Sequence, residues 1–144
     1  MAVPVQVTFD CADPARLGGF WALALGYREQ EPPDGFATWE AFLRAQGVPE
    51  SAWNSMYAVV DPEGKGPRLL FQQVPEGKTA KNRMHLDVNV GGGRGVPIDE
   101  RRRRTREAAE RLVGAGATEV RVFDENDEHW IVMLDPEGNE FCLQ

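Results

Sequence analysis

The sequence predicts an α+β chain built from two tandem βαβββ half-repeats. Three observations carry that expectation. Asp61-Pro62-Glu63-Gly64 recurs as Asp135-Pro136-Glu137-Gly138, 74 residues later. Gln6 and His85 are polar positions of two opening strand patterns and lie 79 residues apart. Gly26 and Gly116, placed to close the two long helical patterns, lie 90 apart. A repeated order of elements outweighs any single motif, because a generic α+β arrangement explains each strand but not the order. The offset drifts because the second half has a longer strand-to-helix loop and the first has an insertion.

In the first half, Val3 to Asp10 alternates as a strand, with Val5, Val7 and Phe9 on one face and Gln6, Thr8 and Asp10 on the other. Asp13 is positioned as a helix N-cap, with Pro14 at the first helical position where its missing N–H costs nothing. Leu17, Phe20, Trp21, Leu23 and Leu25 give that helix a broad apolar face up to Gly26. Further strands are predicted at Tyr27 to Gln30, Ser55 to Val60 and Arg68 to Val74, with a Pro/Gly turn between Asp61 and Pro67. The insertion, residues 33–54, holds a short helix from Thr38 to Gln46.

The second half repeats the plan. Met84 to Val90 is a strand with His85, Asp87 and Asn89 on its polar face. A Gly-rich loop leads to a helix from Asp99 to Val113, stopped by Gly114 and Gly116. Strands follow at Thr118 to Phe123, Trp130 to Leu134 and Glu140 to Gln144. The half-repeats are placed at 3–74 and 83–144 within one domain, 1–144.

At 42% hydrophobic and 27% charged residues the composition is that of a globular chain. No apolar run approaches the roughly 18 residues that span a bilayer. The opening residues lack a secretory leader pattern. Only Cys11 and Cys142 are present, so a disulfide framework is not expected and a reducing cytoplasm is. The net charge of −7 argues against a nucleic-acid groove. The run Arg101-Arg102-Arg103-Arg104 is no exception. On a helix, four successive residues point in directions about 100° apart, so they form no basic stripe. Glu107 and Glu110 lie within helical pairing distance.

The closing run from Trp130 through Asp135-Pro136-Glu137-Gly138-Asn139 to Cys142 resembles the ending of glyoxalase-like members of the vicinal-oxygen-chelate superfamily. That superfamily includes bleomycin-resistance proteins and dioxygenases. Phe71 to Lys78 followed by Lys81 to Asp87 is similar to an actinobacterial glyoxalase-like branch. With the repeated plan, the resemblance spans nearly the whole chain. It implies sheets curled into half-barrels, helices outside, and a concave cavity holding a small molecule and often a divalent metal.

The resemblance also implies where metal ligands would sit. The first-strand positions fall on Gln6 and His85. The last-strand position of the second half falls on Cys142, where the family usually has Glu. Its counterpart in the first half falls on Phe71 or, with a one-residue shift, Gln72, and a one-residue slip exchanges the two faces of a strand. Without carboxylates this set suits neither Mg²⁺ nor Ca²⁺, and one His with one Cys is a poor zinc set. No tightly bound metal is therefore expected; if one binds, Gln6, His85 and Cys142 are the ligands. His85 is the one expected catalytic residue, since imidazole titrates near working pH. Gln6, Thr8, Phe71, Gln72, Trp130, Met133 and Cys142 join it as expected ligand contacts, with residues of the Trp39 to Trp53 insertion as further walls. His129 is expected at the surface.

Gly91-Gly92-Gly93-Arg94-Gly95 does not satisfy GxGxxG, and no GxSxG, HExxH or CxxC occurs. The expected function is small-molecule binding of the antibiotic- or toxin-sequestering type. The alternative is a divalent-metal-dependent lyase, isomerase or dioxygenase. A homodimer is expected, because open sheet edges need cover.

Overall fold

A computed structural model describes residues 1–144. The chain forms two compact units, 1–77 and 78–144. The first contains β1 (Val7–Cys11), α1 (Pro14–Leu25), β2 (Arg28–Glu29), α2 (Trp39–Ala45), a 3₁₀ turn (Glu50–Ala52), β3 (Met56–Val60) and β4 (Leu69–Gln73). The second contains β5 (Asp87–Val88), α3 (Ile98–Gly114), β6 (Thr118–Glu125), β7 (Glu128–Leu134) and β8 (Glu140–Leu143). Each unit has one open four-stranded mixed sheet, ordered β1-β4-β3-β2 and β5-β8-β7-β6. In both, the first strand pairs in parallel with the last, and the other pairs are antiparallel. The tandem βαβββ plan is the observed fold.

Local chemistry explains the elements. Asp13 caps α1 by accepting from Arg16 N, Pro14 opens it, and Gly26 closes it at φ 70°. Both Asp-Pro-Glu-Gly turns are closed by their aspartate. Asp61 accepts from the backbone N–H of Glu63, Lys65 and Gly66. Asp135, although buried, accepts from the backbone N–H of Glu137 and Asn139. An Asx side chain that satisfies the amides of its own turn is the mechanism that makes such sequences turns.

The first core lies between α1 and one sheet face. Leu17, Phe20, Trp21 and Ala24 pack against Val59, Leu69 and Phe71, all buried. Phe9 stacks on Phe71 with ring centroids 5.0 Å apart. Fully burying each large side chain stabilises by about 1.5–3 kcal/mol. A glycine is required at Gly18, where a Cβ would lie 2.2 Å from Tyr57 Cδ1. In the second unit Ala108, Ala109 and Leu112 meet Ile131, Met133, Phe141 and Leu143. The small alanines let the helix approach closely.

Of the strands that are shorter than expected, β1 and β5 matter most for the site. β1 begins only at Val7, whose N–H bonds Arg68 O at the start of the β4 ladder. Residues 3–6 therefore have no partner strand. β5 covers just Asp87 and Val88, opposite Cys142 and Leu143, so His85 lies two residues ahead of it. The arginine run is solvated but anchored. Arg102 bonds Asp99 and Asp124, Arg103 bonds Glu100 and Glu107, and Arg104 bonds Glu100. Hydrogen bonds from Arg103 and then Arg104 lower the Glu100 carboxyl to about 2.

Three expected placements are corrected by strand parity. Phe71 and Met133 are fully buried, because they share the parity of Leu69 and Ile131 and face the helices. His129, on that same β7 parity, is also enclosed: its side chain is 7% exposed and its Nδ1 lies 3.5 Å from Asp124 Oδ2. No helix is long and apolar enough to cross a membrane.

Candidate binding cavity and metal-donor cluster

The first unit contains a cavity of about 600 Å³. Met56 and Ala58 of β3 and Leu70 of β4 contribute to it from the sheet, with Arg68 just ahead of β4; Trp39, Phe42, Leu43, Val48 and Trp53 contribute from the insertion. Thr38 caps α2 by accepting from Ala41 N, which starts the helix one residue before its apolar face. Trp39, Phe42 and Leu43 then recur at i, i+3 and i+4, the spacing of one helical face. That face would normally pack into a core. Here none of its residues is buried, and it borders the cavity instead.

Both tryptophans are held in place. Trp39 Nε1 donates to Gln30 O at 2.7 Å and Trp53 Nε1 to Val48 O at 2.9 Å. Trp39 and Phe42 meet edge to face at 5.9 Å, and Arg44 covers Trp53 at 5.3 Å. The polar lining includes Arg68, Glu29 and Tyr57. Burial, followed by the nearby Glu29 charge, pushes the Tyr57 hydroxyl above its ordinary range, so it donates to Glu29 as a neutral phenol. Arg68 donates through Nε to Gln30 Oε1 at 2.6 Å and through Nη1 to Gln6 Oε1 at 2.7 Å.

The second unit holds a different constellation. Ligand atoms of His85, Asp87 and Cys142 all lie within 4.8 Å of one another. Asp87 and Cys142 are register partners across β5 and β8, and His85 Nδ1 is 3.0 Å from Asp87 Oδ1. Burial raises the Cys142 pKa, and the charge and hydrogen bond of Asp87 raise it further. The thiol is therefore protonated near neutral pH. These donors fit a borderline cation of the zinc class: one nitrogen, one sulfur and one carboxylate oxygen, with a fourth position open. A cation there would displace the thiol proton. One thiol and one imidazole do not suit Mg²⁺ or Ca²⁺.

The registers also align the two units. Val59 pairs with Leu69 and Met133 with Phe141, each two residues before the aspartate of its turn. One step on, Thr8 opposes Leu70 just as Asp87 opposes Cys142. Gln6 therefore matches His85, and Cys142 matches Leu70, neither Phe71 nor Gln72. Gln72 lies on the Leu70 face and donates to Asp10 at 2.8 Å. The Gln6 amide oxygen is committed to the Arg68 guanidinium, which would repel a cation, and its amide nitrogen is 3.3 Å from Thr8 Oγ1. Trp130 is half-buried and stacks on Phe123 at 4.8 Å within the second unit.

Sequence reasoning missed three positions. Asp87 shares the polar strand face of His85 but is not among the expected ligands. Leu70 gave no polar signal. Arg68 sits before a strand, where nothing in the pattern indicates a cavity.

The family model for the glyoxalase-like domain matches residues 6–144. Solved structures share the fold at low identity. A glyoxalase/bleomycin resistance protein/dioxygenase family enzyme from Burkholderia phytofirmans is 16% identical with a TM-score of 0.58, covering 96% of this chain and 94% of its own. A mutant of the fosfomycin resistance protein FosX from Listeria monocytogenes, complexed with Mn(II), is 10% identical with a TM-score of 0.63, covering 100% and 90%. FosX from Mesorhizobium loti is 12% identical with a TM-score of 0.60, covering 99% and 91%. No curated protein matches the sequence. The repeated βαβββ units and the match over residues 6–144 show that this chain belongs to the glyoxalase-like domain family.

Proposed function

We propose that the protein binds a small, largely apolar molecule in the cavity of its first unit, in a sequestering role of the antibiotic- or toxin-binding kind. The observation that carries this reading is the unpacked aromatic face of the insertion, with Trp39, Phe42 and Trp53 around about 600 Å³. Pockets for small molecules are mostly apolar with a few placed polar groups, and this one fits that description. Phenylnaphthylamine, a neutral dye whose fluorescence rises in apolar surroundings, tests it. Saturable binding is expected, weakened about tenfold or more in Trp39→Ala because the lost ring contact is worth about 1.5 kcal/mol. Absence of saturable binding, or binding unchanged by that substitution, would overturn the reading.

A second reading is favoured by the His85–Asp87–Cys142 cluster. Here the protein is a metal-dependent lyase, isomerase or dioxygenase, and a zinc-class ion would polarise a substrate oxygen. His85 and Cys142 would hold the ion and Asp87 would supply the negative charge. Equilibrium dialysis against Zn²⁺ with elemental analysis tests it. Stoichiometric metal, lost in His85→Ala and in Asp87→Asn, supports it, and absence of metal removes it. A homodimer and a cytoplasmic setting complete the proposal. Val120 and Val122 of the edge strand β6 are 55% and 39% exposed, a surface that a second copy would cover. Light scattering near twice the 16.0 kDa chain mass is the expected result.

A further inference from the structure

We infer that the ligand of the first-unit cavity is an amphipathic anion, a flat apolar body bearing a carboxylate or sulfonate-type group, and that Arg68 holds that group. The inference rests on the cavity being the binding site. It starts from an imbalance at Arg68. Arg28, Arg94, Arg102, Arg103, Arg104 and Arg106 all pair with carboxylates. The half-buried Arg68 instead gives both of its hydrogen bonds to neutral amide oxygens, those of Gln30 and Gln6. Its charge forms no ion pair.

A guanidinium has five N–H donors in a fixed plane. Two of those at Arg68 are engaged, which leaves three for a ligand. The two amides fix the orientation of the plane, so little side-chain freedom remains to be lost on binding. Gln30 links this cation to the aromatic wall: its side chain accepts from Arg68, while its backbone oxygen accepts from the Trp39 indole. One residue thus sets an anion-binding fork beside a flat apolar surface. Glu29 and Glu40 border the same cavity, so the net field is mixed and the selectivity must come from contact with Arg68. Glu29 is itself occupied by the Tyr57 hydroxyl.

Two dyes with the same aromatic body separate the claims. Phenylnaphthylamine is neutral, and anilinonaphthalene sulfonate adds only the acidic group. Each is titrated into the full chain and into Arg68→Gln, Arg68→Lys and Trp39→Ala, with circular dichroism as the check on folding. The wild type is expected to bind the sulfonate about tenfold tighter than the neutral dye, the scale of a charge-assisted hydrogen bond. Arg68→Gln should bring the ratio of sulfonate to neutral affinity down to about one, Arg68→Lys should keep part of the preference, and added salt should narrow it. Equal binding of the two dyes by the wild type, or an equal loss of both in Arg68→Gln, overturns the inference and leaves the cavity standing. Failure of both dyes to bind the wild type overturns the cavity reading itself. The wild-type comparison needs no variant, so a poorly folding substitution does not rescue the claim.

Discussion

Removing the Phe71 ring distinguishes the two faces of β4 more sharply than any other single change. Phe71 is fully buried, stacks on Phe9 at 5.0 Å, and lies 3.2 Å from where a Cβ on Gly18 would sit. The surrounding helix and strand cannot collapse around the missing ring without losing those contacts. Phe71→Ala should therefore cost about 3–5 kcal/mol. For a chain of this size that corresponds to a fall of roughly 10–15 °C in melting temperature. Gln72, one residue on, faces away from α1 and makes one hydrogen bond to Asp10. Its replacement by alanine should cost about 1 kcal/mol or less. Urea denaturation followed by circular dichroism measures both, with an unchanged slope required for the comparison. If Gln72→Ala were the more destabilising change, the strand would be out by one residue. The match of Cys142 with Leu70 would then fall with it.

Gly18→Ala places a methyl group against the Tyr57 ring and should destabilise by about 1–3 kcal/mol, read from the same denaturation curves. The Glu140 carboxyl is lowered from 4.5 to about 2, chiefly by the Asn82 backbone N–H and also by Lys78. A depressed carboxyl stabilises the fold above its unfolded pKa, and that contribution is lost as pH falls from about 4.5 through about 2. The difference in stability between wild type and Glu140→Gln should therefore shrink across that window, and a difference that grew on acidification would contradict the assignment. Cys142 should react slowly with iodoacetamide near neutral pH and faster in Asp87→Asn, because Asp87 raises its pKa. Cys11, being buried, should contribute little to the signal. An unchanged rate in the variant would show that Asp87 does not act on the thiol.

The repeat, the helix caps and the paired turns were legible because each depends on residues adjacent in sequence. Asp13, Pro14 and Gly26 specify one helix locally, and Asp61 and Asp135 close their turns through their own neighbours. The apolar face of the insertion was also legible at helical spacing. What it packed against was not, since a half-filled cavity and a filled core require the same pattern. The choice between Phe71 and Gln72 failed for a different reason. Both lie in one strand, and the register across β1 and β3 decides the face each presents. The metal-donor set was incomplete for the same cause: Asp87 becomes relevant only when the parallel pairing of β5 with β8 sets it opposite Cys142. Arg68 required the Gln6 and Gln30 side chains to meet it, 62 and 38 residues away in sequence.

Fluorine NMR of protein labelled with fluorotryptophan tests the central claim most directly, because the four tryptophans report four separate environments. Trp39 and Trp53 border the first-unit cavity, Trp21 is buried in the core beneath α1, and Trp130 stacks on Phe123 in the second unit. Each resonance is assigned by replacing one tryptophan with phenylalanine. Titration with anilinonaphthalene sulfonate should shift Trp39 and Trp53 together, to the same saturation point, and leave Trp21 and Trp130 in place. Movement of Trp130 with Trp39 and Trp53 unmoved would locate the ligand in the second unit and contradict the account.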